Sequence, residues 1–369
     1  ARCALEDARR MAVRPAATDL AVATSFFIDS KSFPASCGIV KWCYSAAELV
    51  GAPFLAGRAE QVIFTNDEQY VRSECGAPSP RIVAYDPELT RAVTLWSNAT
   101  NRSRSDPRKM GMPGRAFSAK ALFKWEVLRH TEYRAIFLTD IDVDFFFRTS
   151  GHLPPPGSKL LRPLERAWGH ALKEFLRSER AQLIGSSDFN TPINTGVLLV
   201  KPNASTYALG LSILHTQRWD VRRGFNFSGP PRDVVDLKHF SALAADGMNK
   251  TVLLRANHWA VTGGDADQGL YAYVFLGLQS GRGFRLSGEH LDDGTRQTAF
   301  VLHFWGGLKP WLTHAECRRY FDFLHNDSGF RHRPSRCMLV LEQRRAQLLR
   351  RRDRRPKPCY PQVWAQRVF

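Results

Sequence analysis

The stretch Ala135-Ile136-Phe137-Leu138-Thr139-Asp140-Ile141-Asp142 decides how the chain is read. Its apolar run predicts a short buried strand over 135–139. The strand then meets two carboxylates, which a core tolerates only where something neutralises them. In an extended segment residues i and i+2 point to the same side, so Asp140 and Asp142 are expected to face one hard cation together. Mg²⁺ and Mn²⁺ favour such oxygen ligands and often also bind substrate phosphates. Asp144 continues the alternation. The 140/142 register is preferred, because 142/144 would bury Asp140 inside the strand. A lone Asp-x-Asp is common, and an acidic loop without an ion is the plain alternative.

Outward from that strand, further short apolar strands are expected at 20–24, 61–65, 81–85, 196–200 and 299–304. Residues 36–50 read as a helix with Ile39, Cys43, Ala46 and Val50 on one stripe. Ser118 can cap a second helix whose face carries Leu122, Trp125 and Leu128. Residues 98–114, rich in Arg, Ser, Gly and Pro, read as a mobile polar loop. Pro154, Pro155, Pro156 and Gly157 break the chain, and 161–180 returns as a charged, exposed helix. Strands alternating with helices predict an α/β fold with a mixed, mainly parallel, doubly wound sheet. In such sheets ligands bind beyond the carboxyl ends of the strands, which is where the acidic pair stands.

Two more segments carry candidate chemistry. Ile193-Asn194-Thr195-Gly196-Val197-Leu198-Leu199-Val200 puts an Asn and a Gly at the head of an apolar strand. Val301-Leu302-His303-Phe304-Trp305-Gly306-Gly307-Leu308-Lys309-Pro310-Trp311 ends a strand on a histidine. A neutral imidazole at His303 can serve as a metal ligand. Lys309 follows a Gly pair and can reach a phosphate as a point charge. Taken singly, a structural histidine and a surface lysine are the commoner explanations.

Taken in order, these segments resemble glycosyltransferase family 8, the glycogenin-like group. The resemblance spans about residues 18 to 312 and runs through Lys124, Asp140 and Asp142, Asn194 and Gly196, Asp267-Gln268, then His303 and Lys309-Pro310-Trp311. The Gly-Leu-Lys-Pro-Trp ending is closer to plant glucuronosyltransferases of that family than to glycogenin. The resemblance implies a GT-A fold, a UDP-sugar donor, Mn²⁺ (with Mg²⁺ as a substitute) and retention at the anomeric carbon. It makes Asp140, Asp142 and His303 metal ligands. Lys124 and Lys309 would contact diphosphate and donor, with Gly306 beside them. Asn194 and Gln268 would face the donor sugar, with Gly196 and Asp267 adjacent. Two departures stand out. The loop from His303 to Lys309 is one residue longer than the tightest form of the motif. Asp265 also precedes Gln268, although Asp267 matches the pattern better.

Composition bounds the setting. At 369 residues and 44% hydrophobic, the chain can bury a large core. Asn-x-Ser/Thr occurs at Asn98, Asn101, Asn203, Asn226, Asn249 and Asn326, so six of ten Asn residues are in sequons; chance predicts about one. That excess points to the secretory pathway, and to the Golgi lumen as the expected compartment. Seven Cys leave at least one unpaired or joined to another chain. No Cys-x-x-Cys suggests a zinc ribbon. The net charge of +17 is concentrated partly at Arg344, Arg345, Arg350, Arg351, Arg352, Arg354 and Arg355 and favours anionic partners. Nothing resembles a zinc finger, an RNA-recognition sheet or a basic zipper, so nucleic acid is not the expected partner. The expected partners are a nucleotide sugar and a glycan, protein or glycolipid acceptor. Residues 1–17 read as a stem remnant, 18–312 as the catalytic domain and 313–369 as a basic extension. A chain beginning with Ala1 is expected to be partial or processed, which leaves room for a membrane anchor outside it.

Overall fold

A computed structural model describes residues 18–28, 36–52, 55–75, 80–104, 119–145, 169–186 except 171, 193–216, 219, 225, 264–279, 284–286, 301–303 and 365–366. The strands are β1 (Leu20–Phe26), β2 (Ala59–Thr65), β3 (Arg81–Ala84), β4 (Ala135–Thr139), β5 (Val143–Phe145), β6 (Leu183–Ser186), β7 (Asn194–Val200), β8 (Phe284–Leu286), β9 (Val301–His303) and β10 (Ala365–Gln366). The helices are α1 (Ser36–Val50), α2 (Glu68–Cys75), α3 (Pro87–Arg104), α4 (Ala204–Thr216) and α5 (Asp267–Tyr271).

Seven strands form one sheet in the order β3-β2-β1-β4-β7-β6-β8. The pairs β3–β2, β2–β1, β1–β4 and β6–β8 are parallel; β7 runs antiparallel to both β4 and β6. This is the α/β, mainly parallel, doubly wound sheet that the sequence predicts. Its central strands are buried on both faces, which is why they read as continuous apolar runs. Side-chain alternation sorts them. Ala21, Ala23, Ile136, Leu138, Leu198 and Val200 pack beneath α3 and α4. Leu20, Val22, Ala135, Phe137, Val197 and Leu199 pack beneath α1 and α2 on the opposite face.

Strand order places the site. From β1 the chain winds outward to β2 and β3, then returns to lay β4 on the other flank of β1. The crevice beyond β1 and β4 is therefore the topological switch point. Asp140 follows β4 there. Because β7 is antiparallel to β4, its first residues, Asn194 to Gly196, reach the same end. A second sheet, β10-β9-β5, continues from the Asp140–Asp142 turn. In it the backbone of His303 lies opposite Val143, and residues 365–366 pair with Val301 and Leu302.

Several local expectations are corrected. Residues 98–104 are the last turns of α3 rather than loop; residues 105–114 lie outside the described residues. The Glu88 and Asp86 interactions at the head of that helix, with Trp96 buried on its inner face, outweigh the polar composition of its tail. Residues 119–129 form a 3-10 helix rather than an α-helix. The spacing of Leu122, Trp125 and Leu128 by threes matches the 3-10 period, which places all three on one side. Residues 122–128 are all buried, so tertiary wedging holds the tighter coil. The helix expected over 161–180 is described from 169 to 177, where Leu172 and Phe175 are buried in the core rather than exposed. Ser118 and residues 154–157 lie outside the described residues.

Candidate active site

The segment from Asp140 to Asp142 is a turn, not a continuation of the strand. Asp140 follows β4, the Val143 amide donates to the Asp140 carbonyl at 3.3 Å, and the chain then enters β5 of the other sheet. The expectation that the two carboxylates share one side of an extended segment is thereby corrected. What relates them is a tight turn between two sheets. Asp142 is buried and Asp140 keeps 29% of its side chain exposed. The cluster therefore opens to solvent at Asp140.

Lys124 organises the interior of the site. It stands mid-way along the buried 3-10 helix, and its ammonium lies 2.6 Å from Asp140 Oδ1 and 2.8 Å from Asp267 Oδ2. It also donates to the carbonyl and the Oγ1 of Thr195, both at 3.3 Å. The Thr195 hydroxyl in turn donates to Asp267 Oδ2. Burial by itself would depress the lysine, but Asp140 and Asp267 outweigh it and hold the ammonium well above its ordinary range. The lysine is thus a permanent buried cation that joins the β4 turn, the head of β7 and the start of α5.

Other groups fix the main chain at this point. The Asp140 amide donates to the Gly196 carbonyl at 2.8 Å. Thr24 Oγ1 donates to the Thr139 carbonyl at 2.7 Å, and the Trp42 indole donates to Thr139 Oγ1 at 2.8 Å. Asn194 Oδ1 accepts from the Gly196 amide at 2.7 Å and shapes the entry of β7. Asp267 is 3% exposed, and Gln268 beside it is 8% exposed, with no hydrogen-bond partner for its Oε1 among the described residues. A buried acceptor without a partner is costly, so a donor reaching Oε1 would be stabilising. Tyr271 closes the base of the cluster by donating to the Lys124 carbonyl at 3.1 Å. Burial, followed by the nearby Asp267 charge, raises its phenol well above the ordinary value.

The structure thus gathers Lys124, Asp140, Asp267, Gln268, Asn194 and Gly196 at one end of the sheet, with Asp142 in the adjoining turn. Asp265, the other aspartate of its segment, offers its carbonyl to the Trp96 indole at 3.2 Å. Gly306, Lys309 and the side chain of His303 lie outside the described residues. Among the described residues no cluster of three His, Cys, Asp or Glu side chains is assembled as a metal site. Asp140 and Asp142 fit a hard divalent ion in donor chemistry, and Asp140 does so in accessibility. Sequence reasoning passed over Thr195, which stood inside the Asn194–Gly196 motif. It also passed over Thr24, Trp42 and Thr139, whose polar atoms carry no signal inside otherwise apolar runs.

No protein-family model and no curated protein sequence matches the chain. Among solved structures it is similar to mouse xyloside xylosyltransferase 1 in its apo form, at 11% identity and a TM-score of 0.35, over 73% of this chain and 84% of that one. It is similar to the glycosyltransferase GlyE of Streptococcus pneumoniae at 9% identity and a TM-score of 0.35, over 90% of this chain. It is also similar to the bifunctional glycosyltransferase WbbM at 12% identity and a TM-score of 0.41, again over 90% of this chain. The chain spans 64% of GlyE and 53% of WbbM. At these scores the likenesses carry no argument, and the site stands on its own geometry.

Proposed function

We propose that the chain is a retaining glycosyltransferase that moves a hexose or uronic acid from a UDP-sugar to a glycan, protein or glycolipid acceptor. The observation that carries this reading is the Lys124-centred cluster of Asp140, Asp267 and Thr195, beside a Gln268 Oε1 without a partner among the described residues, at the switch point of a doubly wound sheet. The reading assigns Asp140, Asp142 and His303 to a divalent ion, Mn²⁺ by preference. When bound, that ion would supply positive charge where the diphosphate leaves.

The protein's own groups do the rest. Gln268 Oε1 would accept a hydrogen bond from a donor-sugar hydroxyl, and Asn194 would face the same sugar. Asp267 would orient the start of α5 through Thr195 and Lys124. Lys309 would stabilise the phosphate oxygens as charge builds on them, with Gly306 as a neighbouring contact. The bond from the anomeric carbon to the diphosphate breaks, the acceptor oxygen bonds to that carbon, and the acceptor proton passes to a base or to the departing phosphate. The Golgi lumen is the proposed compartment. The six sequons and the Cys43–Cys75 disulfide support that assignment, because structural disulfides persist in oxidising compartments.

The test is UDP release from a panel of UDP-glucose, UDP-glucuronate, UDP-galactose and UDP-xylose with Mn²⁺. Release from at least one donor, abolished by a chelator, is expected. Glycan binding with no release from any donor would make the chain a non-catalytic carbohydrate-binding protein instead.

A further inference from the structure

We infer that Trp42 is a positioning residue for Asp140, acting through Thr139 from the opposite face of the sheet. The inference rests on the reading of Asp140 as a ligand of the donor-bound divalent ion. Trp42 is fully buried on α1, and its indole N–H is spent on Thr139 Oγ1 at 2.8 Å. Thr139 is the last residue of β4 and is itself fully buried. The peptide that joins it to Asp140 is held on both sides: Thr24 Oγ1 binds its carbonyl, and the Gly196 carbonyl binds its N–H. Those two bonds fix the plane of the peptide. The indole bond fixes the residue along the remaining direction, toward α1. Asp140 thus leaves the strand from a residue restrained on its carbonyl, its side chain and the following amide.

The depth of Trp42 is itself set covalently. Its neighbour Cys43 is joined to Cys75, which ties α1 to the end of α2. The Cys43 carbonyl also accepts from Gln61 Nε2 of β2 at 2.9 Å. The indole can therefore neither rise from the sheet nor slide along it without disturbing those links. A buried indole N–H could be satisfied by any carbonyl, and a Phe would fill much the same volume without needing one. Its use on the residue before the acidic turn matches the way outer-shell hydrogen bonds orient metal ligands.

Two measurements test this on Trp42→Phe and Thr139→Val, with Thr139→Ser as the variant that keeps the acceptor oxygen. In hydrogen exchange without metal or nucleotide, the Asp140 amide should exchange roughly 10-fold faster in the first two, as expected for loss of one buried hydrogen bond. The β2 amides should stay unchanged, and Thr139→Ser should match the parent. Unchanged Asp140 protection, or equal acceleration across the whole sheet, would overturn the inference. In calorimetric titration with Mn²⁺ plus UDP, the first two variants should bind about 10- to 100-fold more weakly than the parent. Parental affinity in both would also overturn it. If the parent itself fails to bind Mn²⁺ plus UDP, the metal reading falls, and the exchange result still decides whether Trp42 holds Asp140.

Discussion

Lys124 and Asp140 form a 2.6 Å ion pair between a 3-10 helix and the turn that leaves β4, and the same ammonium reaches Asp267 at 2.8 Å. One buried cation thus pairs with two carboxylates from distant parts of the chain. Removing it leaves Asp267, only 3% exposed, as a charge without its counter-ion. Lys124→Met is expected to cost about 3–5 kcal/mol of stability, as for breaking a buried pair from one side. Urea denaturation measures it. In the Lys124→Met/Asp267→Asn double variant the loss should be well below the sum of the two single losses, since the pair is coupled. An additive result would remove the ion pair from the account.

Gln268 should show a conflict between stability and function. Its Oε1, without a hydrogen-bond partner among the described residues, carries a desolvation cost. Gln268→Met, close in shape and without the polar atoms, is expected to hold or raise stability by roughly 1 kcal/mol. Sugar transfer should fall in the same variant. A fall in both would place Gln268 among purely structural residues.

Gly269 sets how closely α5 approaches the preceding turn. A Cβ built there would run into the Gly264 carbonyl. Gly269→Ala must therefore displace backbone, and a loss of about 1–3 kcal/mol is expected. Because Asp267 and Gln268 immediately precede Gly269, the UDP-sugar KM should rise as well. Thermal denaturation and initial rates on one preparation check both.

The Cys43–Cys75 bond closes a separation of 32 residues. Chain-entropy reasoning puts its removal at about 3–4 kcal/mol. Cys43→Ser/Cys75→Ser should shift the urea midpoint accordingly, and reduced wild type should follow it. A midpoint that ignores reductant would show that helix packing alone holds α1 in place.

Asp142→Asn keeps the volume of a buried side chain while removing its charge. The fold should persist, by circular dichroism, while Mn²⁺-dependent UDP release falls by on the order of 100-fold or more, the scale of losing a group that acts in the transition state. Unchanged release would remove Asp142 from the metal shell.

Much of the fold was written in local pattern. The runs that became β1, β2, β4 and β7 are apolar because both faces of the central sheet are covered, and a chain cannot hide that requirement. The stripe Ile39, Cys43, Ala46 and Val50 likewise foretold the inner face of α1, where the first three are buried and Val50 is partly buried. Tertiary structure alone decided the rest, because it depends on which segments meet. Residues 119–129 coil as a 3-10 helix through burial that no local propensity records. Asp140 and Asp142 are related by a turn between two sheets, although their spacing is that of one strand. Trp42 stands in sequence as one more apolar residue, and only the packing of α1 on β4 aims its N–H at Thr139. Lys124, Asp140, Thr195 and Asp267 lie on four separate segments, and what joins them is the strand order that brings the end of β4 and the head of β7 to one crevice. Sequence determines which groups a site can contain. The distances that make one of them a counter-ion and another an orphaned acceptor arise only when the sheet closes.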